Sequence, residues 1–255
     1  MFFTETASER SAWEPPEVTI DQVKNQDLPK RTVHLDDRQL PVDILLLTVE
    51  DCEFLSCLSY LNPDFCKYFH RDLGFMYLGD MGEDRRRLKI AVMNCCRGSS
   101  SSGGSVVVVL NAAKVLRPKA VFCVGSCSGL DCNKVNLGDI VVLEKLVTYG
   151  PCKITEGGIE ERGVKVPLKS GLSKVILRAG DGWKPPLKDP KALEVKIHHG
   201  TILSGPVEVI DSPEHCKAFI ERFPEAVAME EEGEGEFFGK SELLVTLAVR
   251  PQWGG

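Results

Sequence analysis

The sequence predicts an α/β domain whose central sheet is covered by helices on both faces. Short apolar segments such as VDILLLT (42–48) and KAVFCVG (119–125) are typical of strands buried on both faces. Segments in which apolar residues recur at helical spacing stand between them, and this alternation indicates a largely parallel sheet. With 255 residues and 43% hydrophobic content, the chain can bury one large core without a second domain.

The N-terminal 40 residues differ from the rest of the chain. They are polar, contain proline and show no sustained periodicity, so we predict a flexible lead-in over residues 1–40 and a folded domain over 41–255. The domain begins with the strand VDILLLT. A helix follows over residues 50–61, where Phe54, Leu58 and Leu61 recur at helical spacing.

The middle of the chain carries five elements and a loop. Residues 74–82 and 86–96 read as strands, and RGSSSSGG (97–104) as a flexible loop. The next segment, residues 105–118, is ambiguous, because its four valines favour a strand while its polar spacing and final proline favour a helix; we predict a helix. KAVFCVG and then residues 138–149 are strands.

The C-terminal third continues the alternation. We predict two helices, one over residues 171–183 and one over 212–223 with Ser212 as its N-cap, and a polar helix start over 230–240. We predict three strands, over residues 193–205, 226–229 and 243–249.

Composition excludes several classes of function. A formal net charge of -6 would repel a nucleic-acid backbone or an anionic membrane surface. No apolar run approaches a membrane span and the N-terminus lacks a signal-peptide core, so we expect a cytoplasmic protein. The ten cysteines make no CxxC pair, and the spacing of Cys123, Cys127 and Cys132 fits no common zinc site. We therefore expect reduced thiols, no metal and no cofactor.

Three segments carry residues suited to ligand binding. VGSCSGL (124–130) is a strand that we predict to enter a turn, where backbone N–H groups and hydroxyls would face a ligand. ILSG (202–205) ends another strand in the same way. The acidic run that starts at Glu230 follows a third strand, and its carboxylates suit vicinal hydroxyls. Each segment also has a plain structural interpretation, as a tight turn or a solvated helix start.

Taken in order, VGSCSGL, LGDIVV, TILSG and FPEAVAMEEEGEG closely resemble the purine and uridine phosphorylase superfamily, nearest to its methylthioadenosine/S-adenosylhomocysteine nucleosidase branch. The resemblance spans about residues 42–250. It implies a single three-layer domain of the nucleoside phosphorylase fold, with a mostly parallel or mixed sheet. It also implies cleavage of the bond between a purine and its ribose, with a purine nucleoside as substrate and a homo-oligomer as the assembly.

The resemblance also implies roles for individual residues. Glu230 and Glu232 match the carboxylates that hold the ribose, while Glu231 stands where the family has a methionine. Ser126, beside Gly125, matches the serine of the phosphate or nucleophile site.

The family's phosphorylases often carry an arginine where this chain has Cys123, so water is favoured over phosphate as the nucleophile. Phosphate stays open as a co-substrate. Arg97 either replaces the missing cation or is a solvated loop residue.

The base pocket and the general acid depart from the family pattern. Ser204 and Gly205 match the pocket strand, but Pro206 and Val207 follow where the family often has an aromatic residue. No aspartate follows Asp211, so the family's acid is absent, and the closing C-terminal helix is missing as well. The sequence therefore supports two hypotheses: a purine nucleosidase or phosphorylase, or a weakly active or inactive nucleoside-binding module of a larger regulatory protein.

Overall fold

The computed structural model describes residues 16–35, 40–83, 87–96, 105–131, 134–149, 152–155, 158–161, 165–167, 174, 176–178, 180–205, 217, 220–230 and 243–250. Two α-helices are α1 (Asp51–Ser59) and α2 (Ser105–Val115), and a 3-10 turn covers Asn25–Asp27. The strands are β1 (Thr32–His34), β2 (Ile44–Thr48), β3 (Cys66–His70), β4 (Gly74–Met81), β5 (Leu88–Asn94), β6 (Ala120–Gly129), β7 (Ile140–Thr148), β8 (Cys152–Thr155), β9 (Gly158–Glu161), β10 (Lys165–Pro167), β11 (Ile197–Ser204), β12 (Ala226–Glu230) and β13 (Leu243–Arg250).

Strand β2 shows how the sequence builds three layers. Its side chains alternate between the two faces of the sheet. Leu45 and Leu47 are fully buried in a cluster that includes Val109 and other residues of α2. Ile44 and Leu46 pack in the cluster formed around Leu58 and other residues of α1 on the opposite face. The two helices therefore cover opposite faces of one sheet, as the sequence predicts.

Both described helices match the prediction. In α1 the Glu53 carboxylate accepts hydrogen bonds from the backbone N–H groups of Val49 and Glu50, at 3.2 and 3.0 Å, which closes a capping box. In α2 the buried residues Val108, Val109, Ala112 and Leu116 form one face of the helix and its end. Burial of that face outweighs the β preference of the valines.

The sheet has eleven strands in mixed orientation, and a separate hairpin joins β8 to β9. Strands β5, β2 and β6 run parallel to one another, as do β7, β11 and β12. The pairings β6–β13, β13–β7, β7–β11, β11–β12 and β12–β6 return to their starting strand. Half of the sheet is thus closed into a five-stranded ring, a feature that the sequence did not predict.

Residues 16–35 are part of the fold, which corrects the prediction of a flexible lead-in through residue 40. Strand β1 pairs with β3 in parallel, and the Val23 N–H donates to the Ser59 hydroxyl at 2.9 Å. Val23 and Leu28 pack on the α1 cluster, and this apolar contact orders a segment without periodicity.

Other predictions are tested only where the structure describes the chain. The strand predicted over 193–205 begins later, at Ile197. The predicted N-cap Ser212, the polar helix start after residue 230 and residues 251–255 lie outside the described residues. Within the described part, Cys52, Cys57, Cys66 and Cys96 are free thiols, and no helix is long and apolar enough to cross a membrane.

Candidate functional site

Strand β6 defines the position of the candidate site. On one side it pairs with β13 from Val121 to Ser128. On the other side it pairs with β2 up to Cys123 and with β12 from Ser128 onward. No described strand pairs with this second side between Val124 and Cys127, so β2 and β12 diverge there. Divergence of neighbouring strands at their carboxyl ends is where α/β sheets commonly bind ligands.

Gly125 and Ser126 lie in this stretch, but in extended backbone rather than in the predicted turn. Strand β6 continues through Gly129, because β13 supplies a parallel partner: Leu247 pairs with Gly125 and Ala248 with Ser126. The prediction of a turn at Gly125 and Ser126 was therefore wrong. Ser126 is half-buried and remains at the open stretch of the strand.

Glu230 ends β12 beside this stretch. Strands β12 and β6 are antiparallel and overlap only near their carboxyl ends, where Met229 pairs with Ser128. Glu230 is the next residue, and 8% of its surface is exposed. A carboxylate at such low exposure requires polar partners, because an isolated buried charge is costly. The predicted ribose-binding residue therefore lies at the same edge as Ser126.

Ser204 and Gly205 join the ends of three strands. Ser204 is in register with Glu230 on one side and with Thr148 on the other. Its carbonyl accepts a hydrogen bond from the Tyr149 N–H at 2.9 Å, and the Gly205 N–H faces the Glu230 carbonyl at 3.4 Å. The Ser204 hydroxyl is fully buried and has no hydrogen-bond partner among the described residues. An unsatisfied buried hydroxyl is destabilising, which makes it a candidate ligand contact.

Thr48 and Asn94 complete this edge and were missed by the sequence interpretation. They end β2 and β5, which are in register at this pair. With its amide nitrogen facing these oxygens, Asn94 donates to the carbonyls of Thr48 at 2.9 Å and Val49 at 3.0 Å. Asp51, in the first turn of α1, places an exposed carboxylate nearby. The available signal was positional, since Thr48 and Asn94 each come directly after an apolar run of a strand.

Asp139 lies at the opposite edge, where β7 and β11 begin, and its contacts give it a structural role. Its carboxylate accepts the N–H groups of Asn136 at 2.9 Å and Lys196 at 2.8 Å, and His198 Nε2 lies 2.8 Å away. Burial alone would raise the pKa of Asp139, but these hydrogen bonds outweigh burial and lower the pKa. The carboxylate therefore links the segments that precede β7 and β11.

Several predicted site residues lie outside the described part of the chain. These are Arg97, Val207, Glu231 and Glu232. Of the predicted residues that the structure describes, it brings Gly125, Ser126, Ser204, Gly205 and Glu230 to one edge of the sheet.

Comparison with solved structures defines the class of fold. The chain is similar to a methylthioadenosine/S-adenosylhomocysteine nucleosidase from Colwellia psychrerythraea in complex with adenine, with a TM-score of 0.64, 15% identity and 83% of each chain covered. It is also similar to an S-adenosylhomocysteine nucleosidase from Streptococcus pyogenes, with a TM-score of 0.62 and 14% identity. That match covers 82% of this chain and 83% of the other chain. A futalosine hydrolase mutant of Helicobacter pylori gives a TM-score of 0.59 with 18% identity, and the match covers 82% of this chain and 89% of that chain. The domain has the nucleoside phosphorylase-like fold, which confirms the fold implied by the resemblance.

Comparison with curated proteins adds one relative. The chain is 26% identical over 238 residues to a death domain-containing ATP nucleosidase from Amphimedon queenslandica. The aligned region is 84% of this chain but 44% of that protein, so the chain spans less than half the length of the relative. No family model matches the chain.

Proposed function

We propose that the chain hydrolyses the N-glycosidic bond of a purine nucleoside or nucleotide and releases the free base. The placement of Ser126, Ser204 and buried Glu230 at one edge of the sheet is the observation that carries this proposal. The similarity to an ATP nucleosidase supports it and adds ATP to the substrates worth testing.

The reaction needs groups that hold the ribose and groups that move protons. The bond from the anomeric carbon to the purine nitrogen breaks through an oxocarbenium-like state, and a water oxygen bonds to that carbon. Glu230 and Glu232 accept hydrogen bonds from the ribose hydroxyls, which positions the sugar. Ser204 offers its hydroxyl to the substrate. Asp51 takes the proton released by the attacking water, and the departing purine takes one proton from solvent, so the reaction consumes one water and no net proton.

Water suits this site better than phosphate as the nucleophile. The position where the family's phosphorylases often carry an arginine is Cys123, and its side chain is buried in the core cluster on the α2 face. It supplies no positive charge to a phosphate dianion. We propose that the reaction needs neither phosphate nor an organic cofactor.

Base release from the purified chain tests this proposal. ATP, adenosine, inosine, methylthioadenosine and S-adenosylhomocysteine are incubated with and without phosphate, and the free base is quantified by chromatography. We expect phosphate-independent release that falls about 10²–10⁴-fold in Glu230→Gln, comparable to the loss of a positioned catalytic group. The matched control is Glu225→Gln, which changes an exposed carboxylate that precedes the opposite end of the same strand. Release that requires phosphate, or that survives Glu230→Gln unchanged, contradicts the mechanism.

A second candidate function is a nucleoside-binding module within a larger regulatory protein. The relative's name includes a death domain, and this chain aligns with 44% of that relative. Saturable binding of adenosine or ATP by a folded chain that releases no base supports this alternative over catalysis.

We also propose a homo-oligomer in the cytoplasm. Helix α2 exposes Val107 and Leu110, each at 42%, one turn apart on the same face. Light scattering coupled to size-exclusion chromatography measures the molar mass in solution, and the mass of a monomer would contradict the proposed homo-oligomer. The exposed thiols of Cys52, Cys66 and Cys96 are those expected in a reducing compartment.

A further inference from the structure

A cavity of about 670 Å³ lies at the opposite edge of the sheet from the candidate site. It is lined where β2 and β5 begin and where β4 ends, whereas Glu230 and Ser204 lie at carboxyl ends in the closed ring. Its size falls within the range of about 300–1,000 Å³ that small-molecule sites occupy. The cavity therefore has room for a ligand that does not enter the candidate site.

The strand register separates an apolar floor from a charged rim. Leu78 and Asp80 are two residues apart on β4, so their side chains share a face, and Lys89 on β5 pairs directly with Asp80. Tyr68 and Leu78 pack on the core cluster of the α2 face and line the cavity. Arg87, two residues before Lys89, adds a second cation to the lining.

The rim charges form no close ion pair among the described residues, although Lys89 interacts electrostatically with the Asp43 carboxylate. The side chains of Arg87 and Lys89 make no ion pair or hydrogen bond with the described residues, and neither does the Asp80 carboxylate. Two cations that lie beside an apolar floor attract an anionic group. The lining also includes Asp64, Asp80 and Glu83, whose carboxylates oppose a simple anion, so the ligand must also bring hydroxyl donors.

We propose that this cavity binds a nucleoside monophosphate at a site separate from the one that cleaves the glycosidic bond. Arg87 and Lys89 hold the phosphate through charge-assisted hydrogen bonds. Asp80 accepts hydrogen bonds from the ribose hydroxyls, and the base lies over Tyr68 and Leu78. A ligand with a phosphate, a diol and a flat ring matches the two cations, Asp80 and the apolar floor.

Cys66 provides a local measurement of occupancy. Its thiol is exposed and lines the cavity, whereas the exposed thiol of Cys52 lies on α1 and does not. The alkylation rate of each cysteine is measured by peptide mass spectrometry with AMP, adenosine or inorganic phosphate. AMP at ten times its dissociation constant is expected to slow Cys66 about tenfold and to leave Cys52 unchanged. The readout is independent of base release, so its failure is distinguishable from failure of the proposed function.

Charge variants decide whether the protection comes from the proposed contacts. The double variant Arg87→Ala/Lys89→Ala should weaken AMP protection at least about tenfold. The control Lys114→Ala/Lys184→Ala removes the same charge outside the cavity lining and should keep full protection. The proposal is overturned if AMP does not protect Cys66, if adenosine or phosphate protects it equally, or if protection persists in the cavity variant.

Discussion

Gly205 occupies a position at the candidate site where no side chain fits. A Cβ built there would lie 2.5 Å from the Tyr149 carbonyl oxygen and 2.9 Å from the ring carbon Cε1 of the same residue. The backbone oxygen cannot rotate away. The Gly205→Ala variant must therefore shift either the Ser204–Gly205 segment or the end of β7.

The expected cost follows from this overlap. Inserting a methyl group into a well-packed site costs about 1–3 kcal/mol. A loss of about 2 kcal/mol lowers the unfolding temperature by roughly 4–8 °C for a chain of this size class. The same shift disturbs the hydrogen bond from Tyr149 to Ser204 and the contact from Gly205 to Glu230, so base release should fall as well.

Thermal unfolding and base-release kinetics together measure the effect. The matched control is Gly180→Ala, where the new Cβ would meet the terminal Cδ1 of Ile197 at 2.8 Å, an atom that can move by side-chain rotation. The control should lose less stability and keep its activity. If Gly205→Ala unfolds at the wild-type temperature and releases base at the wild-type rate, the proposed close packing at this edge is incorrect.

Three further predictions concern Ser204, Asp139 and Cys57. Ser204→Ala removes a buried hydroxyl that has no partner among the described residues. Thermal unfolding should therefore show equal or greater stability, while KM for the substrate rises. A clear loss of stability would mean that the hydroxyl has a partner in the free protein. Asp139→Asn should cost about 1–3 kcal/mol at pH 7. Because hydrogen bonds lower the pKa of Asp139, this difference in stability should shrink as the pH falls below about 4. Urea unfolding of both proteins at pH 7 and pH 3 measures it. A difference that does not change with pH contradicts a stabilising role of the ionised Asp139 carboxylate. Burial raises the pKa of Cys57 to about 12, so iodoacetamide at pH 8 should label exposed Cys52 and spare Cys57 in the folded chain, and equal labelling would contradict its burial.

The site could be predicted in part because its residues follow apolar strands. Ser204 and Glu230 each end a buried strand, and this local pattern is visible in the sequence. Thr48 and Asn94 obey the same rule but were missed, since nothing local distinguishes them from other polar residues at strand ends. Their proximity depends on the parallel pairing of β2 with β5.

By itself, the sequence determined the elements whose signal is local. Helical spacing in α1 and α2 and the apolar runs of β2, β6 and β7 each arise from neighbours along the chain. The length of β6, the closed ring and the open stretch between β2 and β12 were decided only by tertiary structure. Gly125 is extended because it pairs with Leu247, and backbone hydrogen bonding between strands so distant in sequence leaves no local pattern in the side chains. Tertiary structure also decides the conformation of residues 16–35, because this segment is held by contacts with β3 and α1.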